Sequence, residues 1–123
     1  MQINSVVVNA SPLICLSKSG LSYLLPSMFN DIVVPDPVFK EVVTKGGRDI
    51  KWDKRIYKII DVTINPQVAS WDLGNGESSV LSFALNNKEY WAIIDDREAR
   101  RCALSLGCRF TGTIGIVILA KKR

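Results

Sequence analysis

Trp91-Ala92-Ile93-Ile94-Asp95-Asp96-Arg97-Glu98-Ala99-Arg100-Arg101 is the stretch that decides the fold of this 123-residue chain. Its apolar run over 92–94 is rich in β-branched residues and predicts a short buried strand. The run ends at two adjacent carboxylates, of which Asp96 is a suitable N-cap for a helix over 97–106. In open α/β sheets, the ligand site lies where buried strands end and helices begin.

The acid pair of Asp95 and Asp96 has two interpretations at this point. Two carboxylates held close together repel each other, and a hard divalent cation commonly relieves that repulsion. Alternatively, Asp96 only caps its helix and Asp95 only turns the chain. This stretch alone does not decide between a metal site and a structural turn.

Length and composition predict one domain over residues 1–123. The apolar fraction of 47% and the charged fraction of 23% are ordinary for a soluble globular protein. No apolar run is long enough to cross a membrane, and residues 1–10 lack the pattern of a secretory signal. We therefore expect a cytoplasmic protein.

Histidine is absent from the sequence, which excludes histidine-based triads, histidine general bases and imidazole metal ligands. Catalysis would therefore depend on carboxylates, hydroxyls, amines or a bound metal. The three cysteines, Cys15, Cys102 and Cys108, lack disulfide-frame or zinc spacing. They are predicted to be small buried side chains in a reducing compartment. The net charge of +4 favours a polyanionic partner, though only weakly.

Apolar periodicity predicts that strands and helices alternate along the chain. The predicted strands span 5–9, 32–34, 56–64, 92–94 and 108–111, with 56–64 at an edge of the sheet. The predicted helices span 12 to about 20, 21–28, 37–44, 78–85, 97–106 and 114–121, and Ser11 is the predicted N-cap of the first. This alternation predicts an α/β fold in which a parallel sheet of about five strands lies between two helical layers, a three-layer α/β/α sandwich with right-handed crossovers.

Polar side chains follow two of the predicted strands and begin two of the helices. Asn9 ends the first strand, Asp95 and Asp96 end the fourth, Glu77 follows a Gly-x-Gly turn, and Glu41 lies among valines. Because the carboxyl ends of parallel strands meet at one edge, we expect these residues to converge. Each also has a structural explanation, since Glu77 complements a helix dipole, Glu41 suits a solvated helix face and Asn9 suits a turn.

The sequence resembles the PIN domain in five segments that share its order and spacing. They are Val6-Val7-Val8-Asn9-Ala10-Ser11-Pro12-Leu13-Ile14, Val34-Pro35 with Val38-x-x-Glu41-Val42, Leu73-Gly74-x-Gly76-Glu77, Ile94-Asp95-Asp96-Arg97 with Arg100 and Arg101, and Thr111-Gly112-Thr113-Ile114-Gly115. Within that family, the chain is similar to the compact branch grouped with VapC-type toxins, the DUF3368 group.

The resemblance implies a metal-dependent ribonuclease that hydrolyses RNA phosphodiester bonds. In PIN domains, three or four acids bind one or two Mg²⁺ or Mn²⁺ ions, and oxygen ligands suit these hard cations. By position, the resemblance carries over Glu41, Glu77 and Asp96 as metal ligands, Asp95 as an alternate or supporting acid, and the hydroxyls of Ser11 and Thr113 as groups that border the site.

One position departs from the family's pattern. The acid that ends the first strand is usually Asp, whereas this chain has Asn9, which removes one negative charge from the expected site. The chain therefore keeps an alternative interpretation as a catalytically weakened PIN-like module that binds RNA or a protein. A further alternative, a receiver-type phosphoacceptor domain, requires an acid pair after the first strand and a lysine after the last, where this chain has Asn9 and Thr111.

Three arginines beside the acid pair also have two interpretations. Arg97 and Arg100 are placed to contact substrate phosphates. They are equally placed to pair with acidic neighbours on a solvated helix face, which is the favoured interpretation for Arg101.

The expected partners follow from the resemblance and from apolar surface. A toxin of a toxin–antitoxin pair would bind an antitoxin protein as well as its RNA substrate. The opening helices are rich in apolar residues, more than a small sheet can cover, and such a surface predicts a homodimer. The nine residues concerned are Leu13, Ile14, Leu16, Leu21, Tyr23, Leu24, Leu25, Met28 and Phe29.

Overall fold

The structure, a computed structural model, describes residues 3–122, so residues 1, 2 and 123 of the predicted domain lie outside the described part. Five strands are present within it: β1 (Ser5–Val8), β2 (Asp31–Pro35), β3 (Tyr57–Ile60), β4 (Trp91–Ile93) and β5 (Phe110–Thr111). The helices of the same part are α1 (Ala10–Lys18), α2 (Leu24–Met28), α3 (Asp36–Lys45), α4 (Pro66–Ala69), α5 (Asn75–Asn86), α6 (Arg97–Leu106) and α7 (Thr113–Lys122).

The five strands form one parallel sheet in the order β3-β2-β1-β4-β5. Strand β1 lies at its centre, where Val7 pairs with Val33 of β2 on one side and with Ala92 of β4 on the other. A central strand covered by helices on both faces is apolar throughout rather than alternating, which explains the run of buried valines. The predicted α/β fold with a parallel five-stranded sheet is confirmed.

The strand order creates a crevice between β1 and β4. The chain moves from β1 toward one edge through β2 and β3, and then returns to place β4 on the other side of β1. Right-handed crossovers therefore put the helices of the two halves on opposite faces. The carboxyl ends of β1 and β4 meet at this switch point, where the Asn9 amide donates to the Ile93 carbonyl at 3.0 Å. Open α/β sheets bind ligands at such a point.

The same strand order rules out the receiver-type interpretation. Receiver domains have a flavodoxin-like sheet of order 2-1-3-4-5, whereas here β3 lies beyond β2 at the sheet edge. The acidic groups of this chain therefore do not occupy a phosphoacceptor arrangement.

Three sequence predictions about local structure are wrong. Helix α1 begins at Ala10, with Asn9 and not Ser11 at the N-cap, because the backbone of Asn9 is extended and its carbonyl already accepts from the Leu13 amide. Strand β3 does lie at the sheet edge, but it ends at Ile60 instead of 64, because its partner β2 ends at Pro35. Cys15 is exposed on α1, while the other two cysteines are buried as predicted.

The opening helices are largely covered by their own chain. Helix α7 packs against α1 and α2, and six of the nine apolar residues behind the homodimer prediction are buried. Two more are partly buried against the core, and Tyr23 is 61% exposed. The homodimer therefore stays a prediction. The opening helices leave less apolar surface exposed for an interface than the sequence indicated. None of the helices over residues 3–122 is long and apolar enough to cross a membrane.

Candidate active site at the carboxyl edge of the sheet

Asn9 occupies the switch point, directly after β1, and is only 1% exposed. It stands at the N-cap of α1, where an asparagine side chain would normally accept from a helix amide. Its carboxamide makes no such bond. Instead, Nδ2 donates to Oε2 of Glu77 at 3.1 Å, across 68 positions of sequence. The side chain of Asn9 therefore belongs to the crevice and not to the helix that it begins.

The oxygen of this carboxamide differs from the nitrogen in its bonding. Asn9 Oδ1 is buried and has no hydrogen-bond partner within residues 3–122. Leaving a buried acceptor without a partner costs about 1–3 kcal/mol, so such an atom makes the crevice a candidate binding site.

Gly76 brings α5 close to this atom. It is buried in the first turn of α5, and a Cβ at its position would lie 3.2 Å from Asn9 Oδ1 and 3.8 Å from Glu41 Oε1. The first distance is tighter than an ordinary contact, so glycine allows this approach without displacing the carboxamide of Asn9. The Gly-x-Gly turn thus places Asn9, Glu41 and Glu77 around one point.

Glu41 and Glu77 come from different helices. Glu77 lies in the first turn of α5 and accepts from Asn9. Glu41 projects from α3, with its side chain 40% exposed, and its Oε2 lies 3.7 Å from Lys45 Nζ. Two predicted ligands are therefore brought together with Asn9.

Asp95 is committed to a different contact. Its Oδ1 accepts from the Thr113 amide at 2.8 Å, and its Oδ2 accepts from the Thr113 hydroxyl at 2.6 Å. Arg100 Nη2 lies 3.8 Å from Oδ1 and completes a loose ion pair. Asp95 thus fastens Thr113, the first residue of α7, to the end of β4.

Asp96 caps α6, as predicted. Its Oδ2 accepts from the Ala99 amide at 3.0 Å, and its side chain is exposed beside the crevice. The prediction that Asp96 caps a helix is therefore confirmed. Asp95 does not only turn the chain, because it also accepts two hydrogen bonds from Thr113.

The remaining predicted residues lie around the same edge. Ser11 is exposed in the first turn of α1, and Arg97 is exposed at the start of α6. Arg101 forms an ion pair with Glu98 at 3.3 Å on the solvated face of α6, as favoured from the sequence.

The acids do not form a dense cluster. Within residues 3–122, no three Asp, Glu or Cys side chains are close enough together to hold a metal ion. What converges is one carboxamide oxygen and two carboxylates, from Asn9, Glu41 and Glu77. Oxygen donors of this kind fit a hard divalent cation, with one negative charge fewer than three acids would supply.

Sequence reasoning missed the contact of Arg100 with Gly112. Arg100 Nε donates to the Ile94 carbonyl at 3.1 Å, and a Cβ on Gly112 would lie only 2.0 Å from Arg100 Nη2. The guanidinium also lies over the ring of Phe110, 5.8 Å from its centroid. The glycine directly after β5 was the available signal, because a strand end without a side chain allows such an approach.

Fold and site together define an α/β domain with a polar crevice at the switch point of a parallel sheet. The chain belongs to the PIN-domain family, because the family model described as DUF3368, PIN domain, matches residues 5–123. PIN domains are generally nucleases, so the fold is of a nuclease type that binds nucleic acid. Comparison with curated proteins gives no match.

Proposed function

We propose that this protein is a metal-dependent ribonuclease that hydrolyses RNA phosphodiester bonds with Mg²⁺ or Mn²⁺. Membership of the PIN family supports nuclease chemistry. The observation that carries the proposal is Asn9 Oδ1, a buried acceptor without a partner among the described residues, placed beside two carboxylates. A buried acceptor without a partner lowers the stability of the fold, so its place beside two carboxylates supports a role in binding.

Asn9, Glu41 and Glu77 would hold the cation, and Asp96, at the carboxyl end of β4 and the N-cap of α6, is the further acid of the proposed site. The chemistry that such an ion supplies when bound is activation of water and neutralisation of phosphate charge. Asn9 also positions Glu77 through its Nδ2 hydrogen bond. Asp95 and Thr113 hold α7 against this edge, and Arg97 and Arg100 supply positive charge for the phosphates of RNA.

A second candidate function is a catalytically weakened module that binds RNA or a protein. The absence of a three-acid cluster within residues 3–122, together with Asn9 in place of Asp, favours this candidate. It differs from the nuclease in one measurable respect, since it predicts RNA binding without metal-dependent cleavage.

The biological setting that we propose is a cytoplasmic toxin of a toxin–antitoxin pair, acting as a homodimer. Its support is the resemblance of the chain to VapC-type toxins and the exposed Tyr23 on the opening helices. Expression that arrests growth, and is relieved by the product of a neighbouring reading frame, would agree with this setting. A monomer in light scattering at tens of micromolar, an order-of-magnitude range for stable interfaces, would contradict the homodimer.

The nuclease proposal is tested by adding Mn²⁺ and then EDTA. A cation that binds only the folded state raises the melting temperature, and its removal reverses the shift. We expect this shift in the wild type and cleavage of a mixed-sequence RNA under the same conditions. Glu77→Gln, which keeps shape and removes charge, should weaken Mn²⁺ binding and slow cleavage by about tenfold or more, on the order of 1.4 kcal/mol, and should make the shift in melting temperature smaller. Cleavage that persists in EDTA would contradict the proposal.

A further inference from the structure

A cavity of about 300 Å³ lies away from the proposed active site, at the other end of the sheet. Tyr57, which lines it, is the first residue of β3 and pairs with Ile32 near the start of β2. Asn9, in contrast, follows the last residue of β1. Because all strands are parallel, the cavity lies at their amino ends, and the active site lies at their carboxyl ends. The cavity is therefore a separate place on the molecule.

Most of the cavity wall is apolar or aromatic. Pro26, Ile50 and Ile56 contribute aliphatic surface, and Tyr23 and Tyr57 contribute rings. A cavity of this size and composition, with a few polar groups among apolar ones, is typical of a small-molecule site. The polar groups therefore decide which molecule fits.

The first polar group is the hydroxyl of Tyr57. This residue is only 4% exposed, and its ring packs against Trp52 with the centroids 5.1 Å apart. Buried tyrosine hydroxyls normally find a hydrogen-bond partner. Within residues 3–122, nothing shares a hydrogen bond with this one. Burial, and then the charge of Asp49, raise the pKa of Tyr57, so the hydroxyl keeps its proton and can donate to a ligand.

The second and third polar groups carry opposite charges. Asp49 lines the cavity, and its carboxylate is held in place by the hydroxyls of Ser17 and Ser22, which donate to its two oxygens. The hydrogen bond from Ser17 lowers the pKa of Asp49, so the group is charged at neutral pH. Lys51 lines the same cavity and is exposed. The wall thus offers one negative charge, one positive charge and one hydroxyl donor.

We propose that this cavity binds a free amino acid with an apolar side chain. Its ammonium group would lie at Asp49, and its carboxylate would accept from the Tyr57 hydroxyl and lie near Lys51. Each carboxylate oxygen accepts more than one hydrogen bond, so the serine contacts leave Asp49 able to accept from an ammonium group. A ligand with a single charge would leave Asp49 or Lys51 without a complementary charge. The site needs neither RNA nor metal, so it does not depend on the proposed function.

The first test compares four small molecules on the wild type by NMR chemical-shift titration. L-Phenylalanine carries both charges and an apolar side chain, and it should bind with a Kd of about 1 mM or below, as its size allows. Phenethylamine lacks the carboxylate and 3-phenylpropionate lacks the ammonium group, so each should bind about tenfold or more weakly. L-Serine keeps both charges without apolar bulk and should also lose about tenfold or more.

The second test compares two variants that each lose one tyrosine hydroxyl. Tyr57→Phe removes the buried donor, whereas Tyr23→Phe removes a hydroxyl from a side chain that is 61% exposed on the same cavity. Tyr57→Phe should weaken L-phenylalanine binding by about fivefold or more, and Tyr23→Phe should change it by less than about twofold. The melting temperature of Tyr57→Phe should not fall, because the lost hydroxyl has no partner within the described residues.

Several results would overturn the proposal. They are no shifts with L-phenylalanine at about 10 mM, well above the expected Kd, binding of phenethylamine or 3-phenylpropionate as tight as that of the amino acid, and equal effects of the two variants. A clear loss of stability in Tyr57→Phe would also contradict it, since the hydroxyl would then have a structural role. Metal-dependent cleavage of RNA, present or absent, changes none of these outcomes, so the proposed function is tested separately.

Discussion

Asn9 shows how a single side chain can belong to a site and not to the element that contains it. Asparagine at an N-cap usually satisfies helix amides through its own oxygen. Here the backbone of Asn9 begins α1, while its carboxamide reaches Glu77 and leaves Oδ1 buried without a partner in the described chain. The free energy lost at this atom is recovered only if something binds there.

Gly76→Ala tests the close approach that shapes this site. The added Cβ would lie 3.2 Å from Asn9 Oδ1, which is tighter than ordinary contacts, so the carboxamide must move. In a helix the same substitution favours folding by up to about 1 kcal/mol. We therefore expect metal-dependent cleavage to fall about tenfold or more while the free energy of unfolding changes by no more than about 1 kcal/mol.

The control for this substitution is Asn75→Ala, at the exposed neighbouring position of the same helical turn. It should leave both the free energy of unfolding and cleavage close to those of the wild type. If Gly76→Ala also cleaved RNA like the wild type, the close approach of α5 to Asn9 would not be required for cleavage, and the prediction would be wrong.

At the scale of elements, Asp95 joins β4 to α7 through two hydrogen bonds from Thr113. Thr113→Val keeps the shape of the side chain and removes the hydroxyl donor, whereas Thr113→Ser keeps the donor. We expect the valine variant to lower the free energy of unfolding by about 1.5–3 kcal/mol, the range for a hydrogen bond to a charged group. The serine variant should lose clearly less in urea denaturation, and equal losses would argue against this attachment.

Tyr90 connects the start of β4 with β2 by donating to Asp31. Burial first, and then the hydrogen bond to Asp31 and its charge, raise the pKa of Tyr90 from 10.0 to about 12. Since the folded state holds this proton more tightly than the unfolded chain, the associated stability is fully present below pH 10 and is lost as the pH rises through 12.

A titration of tyrosine absorbance should therefore show one group ionising near pH 12 in the folded wild type. Asp31→Asn removes the negative charge and should lower the pKa of Tyr90, although burial would keep it above 10.0. An unchanged pKa in this variant would show that Asp31 has no part in the shift.

At the scale of the whole molecule, the sequence predicted the layers better than the ends of their elements. Apolar runs and helical spacing are local signals, and they located all five strands of the sheet. The length of β3 depends on where β2 ends, and the exposure of Cys15 depends on which face of α1 the core covers. Both features depend on tertiary packing, which a local sequence pattern does not predict.

The sequence predicted which residues lie at the edge of the sheet that holds the candidate site, but it did not predict their contacts. Strand ends and a Gly-x-Gly turn indicated that Asn9, Glu41 and Glu77 share an edge, because parallel strands end together. The separate partners of Asp95 and Asp96 depend on where α7 begins relative to β4. That relation arises only when distant segments pack.

Adding a negative charge at position 9 provides the most direct test of a metal-dependent ribonuclease. Asn9→Asp adds a negative charge where the cation would bind, and a unit charge near a dication is worth a few kcal/mol at an effective dielectric of about 20. Without metal, the new carboxylate would repel Glu77, its present partner at 3.1 Å, so the metal-free variant should be less stable. Asn75→Asp, with the same charge change at an exposed position of α5, is the matched control.

The measurement is Mn²⁺ affinity by calorimetry, together with cleavage of a mixed-sequence RNA, for the wild type and both variants. The ribonuclease predicts that Asn9→Asp binds Mn²⁺ about tenfold or more tightly than the wild type and cleaves RNA faster, since added charge stabilises the bound cation. Asn75→Asp should match the wild type in both respects. An Asn9→Asp variant that binds Mn²⁺ no better and cleaves no faster, while losing stability, would contradict a metal-dependent nuclease and favour the binding module.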